Sequence, residues 1–348
     1  MMEVKSQEEN SERPVLKARD FASDQDIKWC PGCGDYAILK QMQSALPEIG
    51  VAKEDIVFIS GIGCSSRFPY YLSTFGMHSI HGRATAVATG LKAARPELST
   101  WIITGDGDAL SIGGNHLIHI LRRNPDVNIM LFNNQIYGLT KGQYSPTSEL
   151  GKVTKSTPMG SIDYPFNPLS VCLGAGSTFI ARGMDRDPKM LKELILESHK
   201  HKGTSLLEIY QNCPIFNDAA FSAFTDKETK KKDTINLKHG EPLIYGDQLH
   251  LGIKLEGVHP VVVNIEEEGI EGLWIHDERD RTKAYMLTQL FDDPKLGGHL
   301  PRPFGIFYKE DRLCYEEAMQ HQLDHVLAWK GEGDLDDLLA GHNTWEVE

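Results

Sequence analysis

An aspartate and an asparagine, each placed where an apolar run stops abruptly, form the pair of side chains best suited to a hard cation. Trp101-Ile102-Ile103-Thr104 runs into Gly105-Asp106-Gly107-Asp108, and Ile129-Met130-Leu131-Phe132 runs into Asn133-Asn134-Gln135-Ile136. Short apolar runs that end in small and polar residues mark the strand ends where an α/β sheet places its ligand-binding turns. Carboxylate and amide oxygens at neighbouring strand ends can share one Mg2+. Gly105 and Gly107 leave room for a bulky anion against the backbone. The economical reading is a Mg2+ that holds a diphosphate. The competing reading is a tight turn, a helix N-cap at Asp108 and a polar strand end.

Of the six cysteines, Cys30, Cys33, Cys64 and Cys213 fall where a loop could bring sulfur to a common point. Cys30-Pro31-Gly32-Cys33 is a knuckle that aims two sulfurs at one point, Cys64 sits in a glycine-rich turn after an apolar run, and Cys213 follows another such run. Such a thiolate set suits structural Zn2+ or a 4Fe-4S cluster, both of which take tetrahedrally arranged soft donors. Zinc sites usually show two close pairs, so one pair joined by two isolated cysteines favours a cluster. The CxxC alone is equally compatible with a redox pair. Cys172 and Cys314 lie in apolar and amphipathic stretches and are expected as buried thiols.

Two further groups carry charge toward this region. His81-Gly82-Arg83, at the start of a small-residue helix over 84–94, would set a cation and two donors near a bound anion; ordinary helix-terminus contacts are the alternative. Lys141 is the nearest mobile cation to the Asp106/Asn134 pair, or a solvated surface lysine. It lies in a polar stretch that begins at Leu139 and runs without clear period through Pro158, which reads as a lid or a partner-contacting segment.

The elements that must position these residues follow from periodicity. Ile56-Val57-Phe58-Ile59 reads as a strand, and Gly113 to Arg123 as a helix with Leu117, Ile118 and Leu121 on one side. Pro168–Leu173 and Thr178–Arg182 read as a further helix and strand, Pro188–His201 as an amphipathic helix and Ser205–Tyr210 as a strand. Beyond residue 225 the pattern weakens to short strands, a helix within Arg279–Asp292 and a last strand over Pro301–Tyr308. The expected organisation is an irregular N-terminal arm (1–24), a ligand-binding α/β domain (25–225) with a mostly parallel central sheet and helices on both faces, and a C-terminal extension (226–348) packing on the main body or on a partner.

Composition bounds the function. The 348 residues carry a formal net charge of −13, with 40% apolar and 24% charged side chains, ordinary for a soluble globular protein. Strong acidity argues against nucleic-acid binding by bulk electrostatics. No apolar run approaches a membrane span. The N-terminal stretch mixes charges without an apolar core, which reads against a signal peptide, an oxidising compartment and disulfides, and predicts a cytoplasmic location.

Taken together, Trp29-Cys30-Pro31-Gly32-Cys33-Gly34, Gly61-Ile62-Gly63-Cys64-Ser65, His81-Gly82-Arg83-Ala84, Gly105-Asp106-Gly107-Asp108 and Asn133-Asn134-Gln135-Ile136-Tyr137-Gly138-Leu139-Thr140-Lys141-Gly142-Gln143 resemble the β subunit of the 2-oxoacid:ferredoxin oxidoreductases, most nearly the 2-oxoglutarate type. The likeness runs over about residues 25–215. It implies a thiamine diphosphate-binding fold, with one 4Fe-4S cluster on Cys30, Cys33, Cys64 and Cys213. It implies Mg2+ on Asp106, the side chain of Asn134 and the carbonyl of Ile136, and a diphosphate lined by Gly82, Gly105, Gly107 and Asp108. His81, Arg83 and Lys141 are then the catalytic candidates, with Arg83 or Lys141 holding the substrate carboxylate. A lysine at the position of Lys141 goes with larger 2-oxoacids in the family, which points to 2-oxoglutarate over pyruvate. The implied reaction yields CO2 and succinyl-coenzyme A from 2-oxoglutarate and coenzyme A, with electrons passing to ferredoxin. The implied assembly is α2β2, the α subunit supplying the aminopyrimidine half of the site. A pyruvate or broad-range enzyme, a non-oxidative decarboxylase and a non-catalytic zinc-stabilised scaffold subunit are the alternatives.

Overall fold

The chain is described by a computed structural model over residues 16–291, 300–345 and 347; residues 1–15 of the expected arm lie outside the described residues. In chain order the strands are β1 (Ile56–Ser60), β2 (Phe75–His78), β3 (Ser99–Gly105), β4 (Val127–Asn133), β5 (Phe179–Met184), β6 (Ser205–Tyr210), β7 (Thr234–Asn236), β8 (Ile244–Tyr245), β9 (Leu251–Glu256), β10 (His259–Asn264) and β11 (Arg302–Lys309). Among the described residues they form an eight-stranded sheet in the order β2-β1-β3-β4-β6-β5-β11-β7, and a separate antiparallel sheet, β10-β9-β8. The pairs from β2 through β5 are parallel; β11 pairs antiparallel with β5, and β7 pairs parallel with β11, so these two strands run against the rest.

Parallel strands buried on both faces need apolar residues at every position rather than at alternate ones. β4, Val-Asn-Ile-Met-Leu-Phe-Asn, is buried at all seven positions. Its side chains alternate between two cores, as the period of a strand requires. Ile129 and Leu131 join Ile102 against the helices Ala84–Ala94, Gly114–Arg123 and Pro168–Gly174. Met130 and Phe132 join Trp101 and Ile103 against the helices Asp35–Ile49 and Pro188–Lys200. The expected mostly parallel sheet with helices on both faces is the observed one.

The parallel order decides where the chemistry collects. β1, β3, β4 and β6 are consecutive neighbours pointing the same way. Their C-terminal ends therefore meet along one edge, and they release Gly61–Cys64, Asp106, Asn134 and Cys213 side by side.

Three details depart from the periodic reading. Ile118 does not share the buried side of its helix: it is 44% exposed, and Ile120 (1%) takes the inward position. The expected arm is anchored near its end, because a 3-10 turn over Ala18–Phe21 inserts Phe21 into the second core. The segment after 225 does more than pack on the body, since β7 and β11 complete the main sheet. A helix over Tyr315–Lys330, only Glu316 of which is buried, follows β11. Among the described residues no helix is long and apolar enough to cross a membrane.

Candidate active site

Asp106 and Asn134 line one cavity with Ile62, Cys64, His81, Gly105, Gly107, Asp108, Ile136 and Tyr137. Asp106 follows β3 and is 3% exposed. Its Oδ2 accepts hydrogen bonds from Ser145 Oγ at 2.5 Å and Thr147 Oγ1 at 2.6 Å, which fixes the plane of the carboxylate. Burial, only partly offset by those hydroxyls, pushes its carboxyl up to about 6. A buried carboxylate that no basic side chain neutralises is a ready cation ligand.

Asp108, two residues on, has a different task. Its Oδ1 accepts from Ile62 N at 3.0 Å, Gly82 N at 2.7 Å and His81 Nδ1 at 2.5 Å, and its Oδ2 from Thr104 Oγ1 at 2.7 Å. It lines the cavity while pinning the turn after β1 and the turn before the Ala84–Ala94 helix. The carboxylate also fixes the proton of His81 on Nδ1. Two glycines serve close approach here. A Cβ on Gly107 would stand 2.2 Å from Tyr137 Cε1, so the Tyr137 ring fills the space that sequence reading reserved for a ligand. Gly82, at φ +68°, lies against the backbone of Gly113, 2.5 Å from where its Cβ would be.

The end of β4 is held from behind. Glu208 on β6, with no exposed surface, pairs with Arg182 on β5 at 2.6 Å and accepts from Asn133 Nδ2 at 2.8 Å. Asn133 Oδ1 is met by Thr147 Oγ1 at 2.9 Å, so the buried ion pair reaches Asp106 through Asn133 and Thr147. Asn134 is fixed at both ends of its amide: Oδ1 accepts from Ile136 N at 3.2 Å and Nδ2 donates to Gln211 Oε1 at 2.8 Å. Its own carbonyl accepts from Asn217 Nδ2 at 2.9 Å.

Two of the candidate sulfurs, Cys64 and Cys213, meet beside this cavity, with Cys33 close by. A Cβ placed on Gly138 would lie 3.6 Å from Cys213 Sγ and 3.7 Å from Cys64 Sγ, so these thiols flank one small gap. The CxxC knuckle is tied to the end of β6 by Gly34 N to Asn212 O at 3.1 Å and by Gln211 Nε2 to Cys33 Sγ at 3.3 Å. Burial pushes the Cys33 thiol well up and the Cys64 thiol up to about 12, with the Asp35 carboxylate and neighbouring sulfurs adding to both. Such thiols ionise only when a cation takes them. Among the described residues no group of three or more His, Cys, Asp or Glu closes on a single metal-ion position. Cys172 and Cys314 are buried thiols away from this group, as expected.

The cationic candidates fare differently. His81 lines the cavity. Arg83 Nη1 instead donates to Gly82 O at 3.3 Å and Ile112 O at 3.0 Å, gripping the backbone next to it. Lys141 follows Thr140, a lining residue; it is exposed and held at φ +81° by a turn in which its N–H donates to Gly138 O at 3.1 Å.

Comparison with known proteins gives this arrangement its family. The family described as thiamine pyrophosphate enzyme, C-terminal TPP binding domain, matches residues 61–209. The 2-oxoglutarate oxidoreductase subunit KorB of Mycobacterium tuberculosis is 52% identical over 336 residues, 95% of this chain and 89% of that protein. The chain belongs to the 2-oxoacid:ferredoxin oxidoreductase β subunits. The 2-oxoacid:ferredoxin oxidoreductase subunit beta of Saccharolobus solfataricus is 44% identical over 207 residues, 59% of this chain and 68% of the relative. A solved 2-oxoglutarate:ferredoxin oxidoreductase from Magnetococcus marinus, with 2-oxoglutarate, coenzyme A and succinyl-CoA bound, superimposes with a TM-score of 0.74 at 32% identity, covering 93% of this chain and 95% of that one. Within the family this β subunit falls with the 2-oxoglutarate type.

Reading the sequence by motif missed the residues that hold this β subunit's site in shape. Ser145 and Thr147 lay inside the segment read as a lid or partner contact, where a cluster of hydroxyls in Tyr144-Ser145-Pro146-Thr147-Ser148 was the available signal. Gln211 and Glu208 gave none: a polar residue within a strand or at its end discloses no partner.

Proposed function

We propose that this chain, with its α subunit, converts 2-oxoglutarate and coenzyme A to succinyl-coenzyme A and CO2 and passes electrons through a 4Fe-4S cluster to ferredoxin. One observation carries the reading: Cys64 lines the same cavity as Asp106 and Asn134, so a cation site and a thiol site adjoin. The donor sets fit the groups. Asp106, Asn134 Oδ1 and the Ile136 carbonyl are hard oxygens suited to Mg2+, and Cys30, Cys33, Cys64 and Cys213 are soft donors suited to iron and sulfide. When bound, thiamine diphosphate supplies carbanion chemistry at the keto carbon and the cluster supplies a one-electron outlet.

The chain's own residues bind and orient. Asp106, kept rigid by Ser145 and Thr147, would hold the cation of a bound diphosphate, with Gly105, Gly107 and Asp108 in the cavity wall and Gly82 behind it against Gly113. His81, its Nδ1 2.5 Å from Asp108 Oδ1, stands in the cavity wall, where its ring would serve proton transfer. Of the two cationic candidates, Lys141, exposed and next to the lining residue Thr140, would meet a dicarboxylate, because Arg83 is engaged with the Gly82 and Ile112 carbonyls. Positioning of this kind turns an encounter into an ordered complex. The aminopyrimidine half of the site comes from the α subunit in an α2β2 assembly, and the isolated β chain is inactive.

The test uses the αβ complex purified without oxygen, assayed for iron and acid-labile sulfide and then for rate on a panel of 2-oxoacids with coenzyme A and a viologen acceptor. The expected result is iron and sulfide in the complex, with 2-oxoglutarate giving the highest kcat/KM. A higher kcat/KM for pyruvate overturns the substrate, and stoichiometric zinc without iron overturns the cluster.

A further inference from the structure

We propose that Gln211 is a positioning residue that couples the two halves of the site: its amide sets which way Asn134 faces and donates a hydrogen bond to the Cys33 sulfur. The proposal rests on the reading above, in which Asn134 serves Mg2+ and Cys33 the cluster. Gln211 is 1% exposed and lies immediately beyond β6. Its backbone N–H donates to Asn133 O at 3.0 Å, which clips it to the end of β4. Its Oε1 accepts from Asn134 Nδ2 at 2.8 Å, and its Nε2 donates to Cys33 Sγ at 3.3 Å and to the Asn212 carbonyl.

The orientation of this amide follows from its surroundings. One end of the Gln211 carboxamide faces a carbonyl and a sulfur, both acceptors once the thiol is a ligand, so that end must be the NH2 group. The other end is then the oxygen, and it accepts only if Asn134 turns its own NH2 group inward. Asn134 is thereby left with its oxygen on the other side, the group a hard cation requires. The same peptide that takes the Gln211 NH2, Asn212 C=O, accepts from Gly34 N at 3.1 Å within the CxxC knuckle. One buried side chain thus relates the oxygen offered to the cation to the charge on the sulfur. A donor aimed at a thiolate ligand favours the electron-rich, reduced cluster.

The αβ complex is prepared without oxygen as wild type, Gln211→Glu and Gln211→Met. The cluster potential is read by a redox titration followed by electron paramagnetic resonance at pH 8, and thiamine diphosphate affinity with Mg2+ by calorimetry. Gln211→Glu keeps an acceptor for Asn134 but removes the donor to sulfur. The expected result is a reduction equilibrium about tenfold less favourable, about 59 mV for a one-electron couple, with cofactor affinity within about threefold of wild type. Gln211→Met removes both contacts, so the potential falls and the cofactor dissociation constant rises about tenfold. Both potentials unchanged, at wild-type iron content, overturn the role toward sulfur; unchanged affinity in Gln211→Met overturns the role toward Asn134. Wild-type complex without iron or sulfide fails the underlying reading instead, and is seen before any variant is made.

Discussion

Asp106 and Asp108 show how two carboxylates of one motif divide their work. Asp106 is buried, hydroxyl-bound and raised to about 6, whereas Asp108 is surrounded by backbone N–H groups and His81. Asp106→Ala is expected to abolish Mg2+-dependent binding of thiamine diphosphate by the αβ complex, read by calorimetry; affinity equal to wild type would remove Asp106 from the cation site. Lys141 projects into solvent beside the lining residue Thr140. For Lys141→Ala the expected change is a KM for 2-oxoglutarate raised about tenfold with kcat nearly kept, the mark of lost uniform binding. Steady-state kinetics with an unchanged KM would take Lys141 out of substrate recognition.

At the scale of elements, the adjacent strands β5 and β6 bury a full ion pair to hold the end of β4. Arg182 is 1% exposed, and its guanidinium lies over the rings of Tyr210 and Phe307 at 5.2 and 5.3 Å. Replacing it by methionine leaves Glu208 charged and unpaired in the core, a loss on the order of 3–5 kcal/mol. Chemical denaturation of Arg182→Met measures it, and a loss below about 1 kcal/mol would mean that Glu208 finds another partner. These elements were legible to different degrees. The strands β1, β3, β4 and β6 announced themselves because an apolar run bounded by glycine or asparagine has few other readings, and the positions of Cys64, Asp106, Asn134 and Cys213 just beyond them came with the strands. The helix before Asn124 was found but faced wrongly at Ile118: Leu117, Ile120 and Leu121, spaced i, i+3 and i+4, share the buried face, and Ile118 stands about 100° round from Leu117. The roles of Ser145, Thr147, Glu208 and Gln211 were not legible because their contacts with Asp106, Arg182 and Cys33 span 26 to 178 residues of sequence. Contacts of that range are set by strand order, which periodicity does not contain. The strand β11 was read in its place, but nothing in its residues told that it joins the main sheet.

For the molecule as a whole, acid sensitivity has an identifiable contributor. His201, 2% exposed, packs its ring on Phe179, and its Nε2 lies 2.8 Å from Thr178 Oγ1. Burial, with Lys309 nearby and only partly offset by Asp126, Asp311 and Glu310, lowers it from 6.5 to about 4. The unfolded chain therefore takes up this proton first as pH falls, and folding stability is lost between about 6.5 and 4. The expected loss is about 2–3 kcal/mol at pH 4. His201→Gln flattens that part of a Tm-against-pH curve; an unchanged slope assigns the acid sensitivity to other groups.

The sheet order also sets a hazard during synthesis. β5 ends at Met184, but the strand that covers its outer edge begins at Arg302. At ordinary elongation rates of about 5–20 residues per second, roughly 6–24 s separate the two on the ribosome. Throughout that interval a row of amide and carbonyl groups along β5 stands open to any other nascent strand. Translation that stalls before Arg302 should thus yield sticky, edge-exposed chains, and the late arrival of β11 is what closes the window.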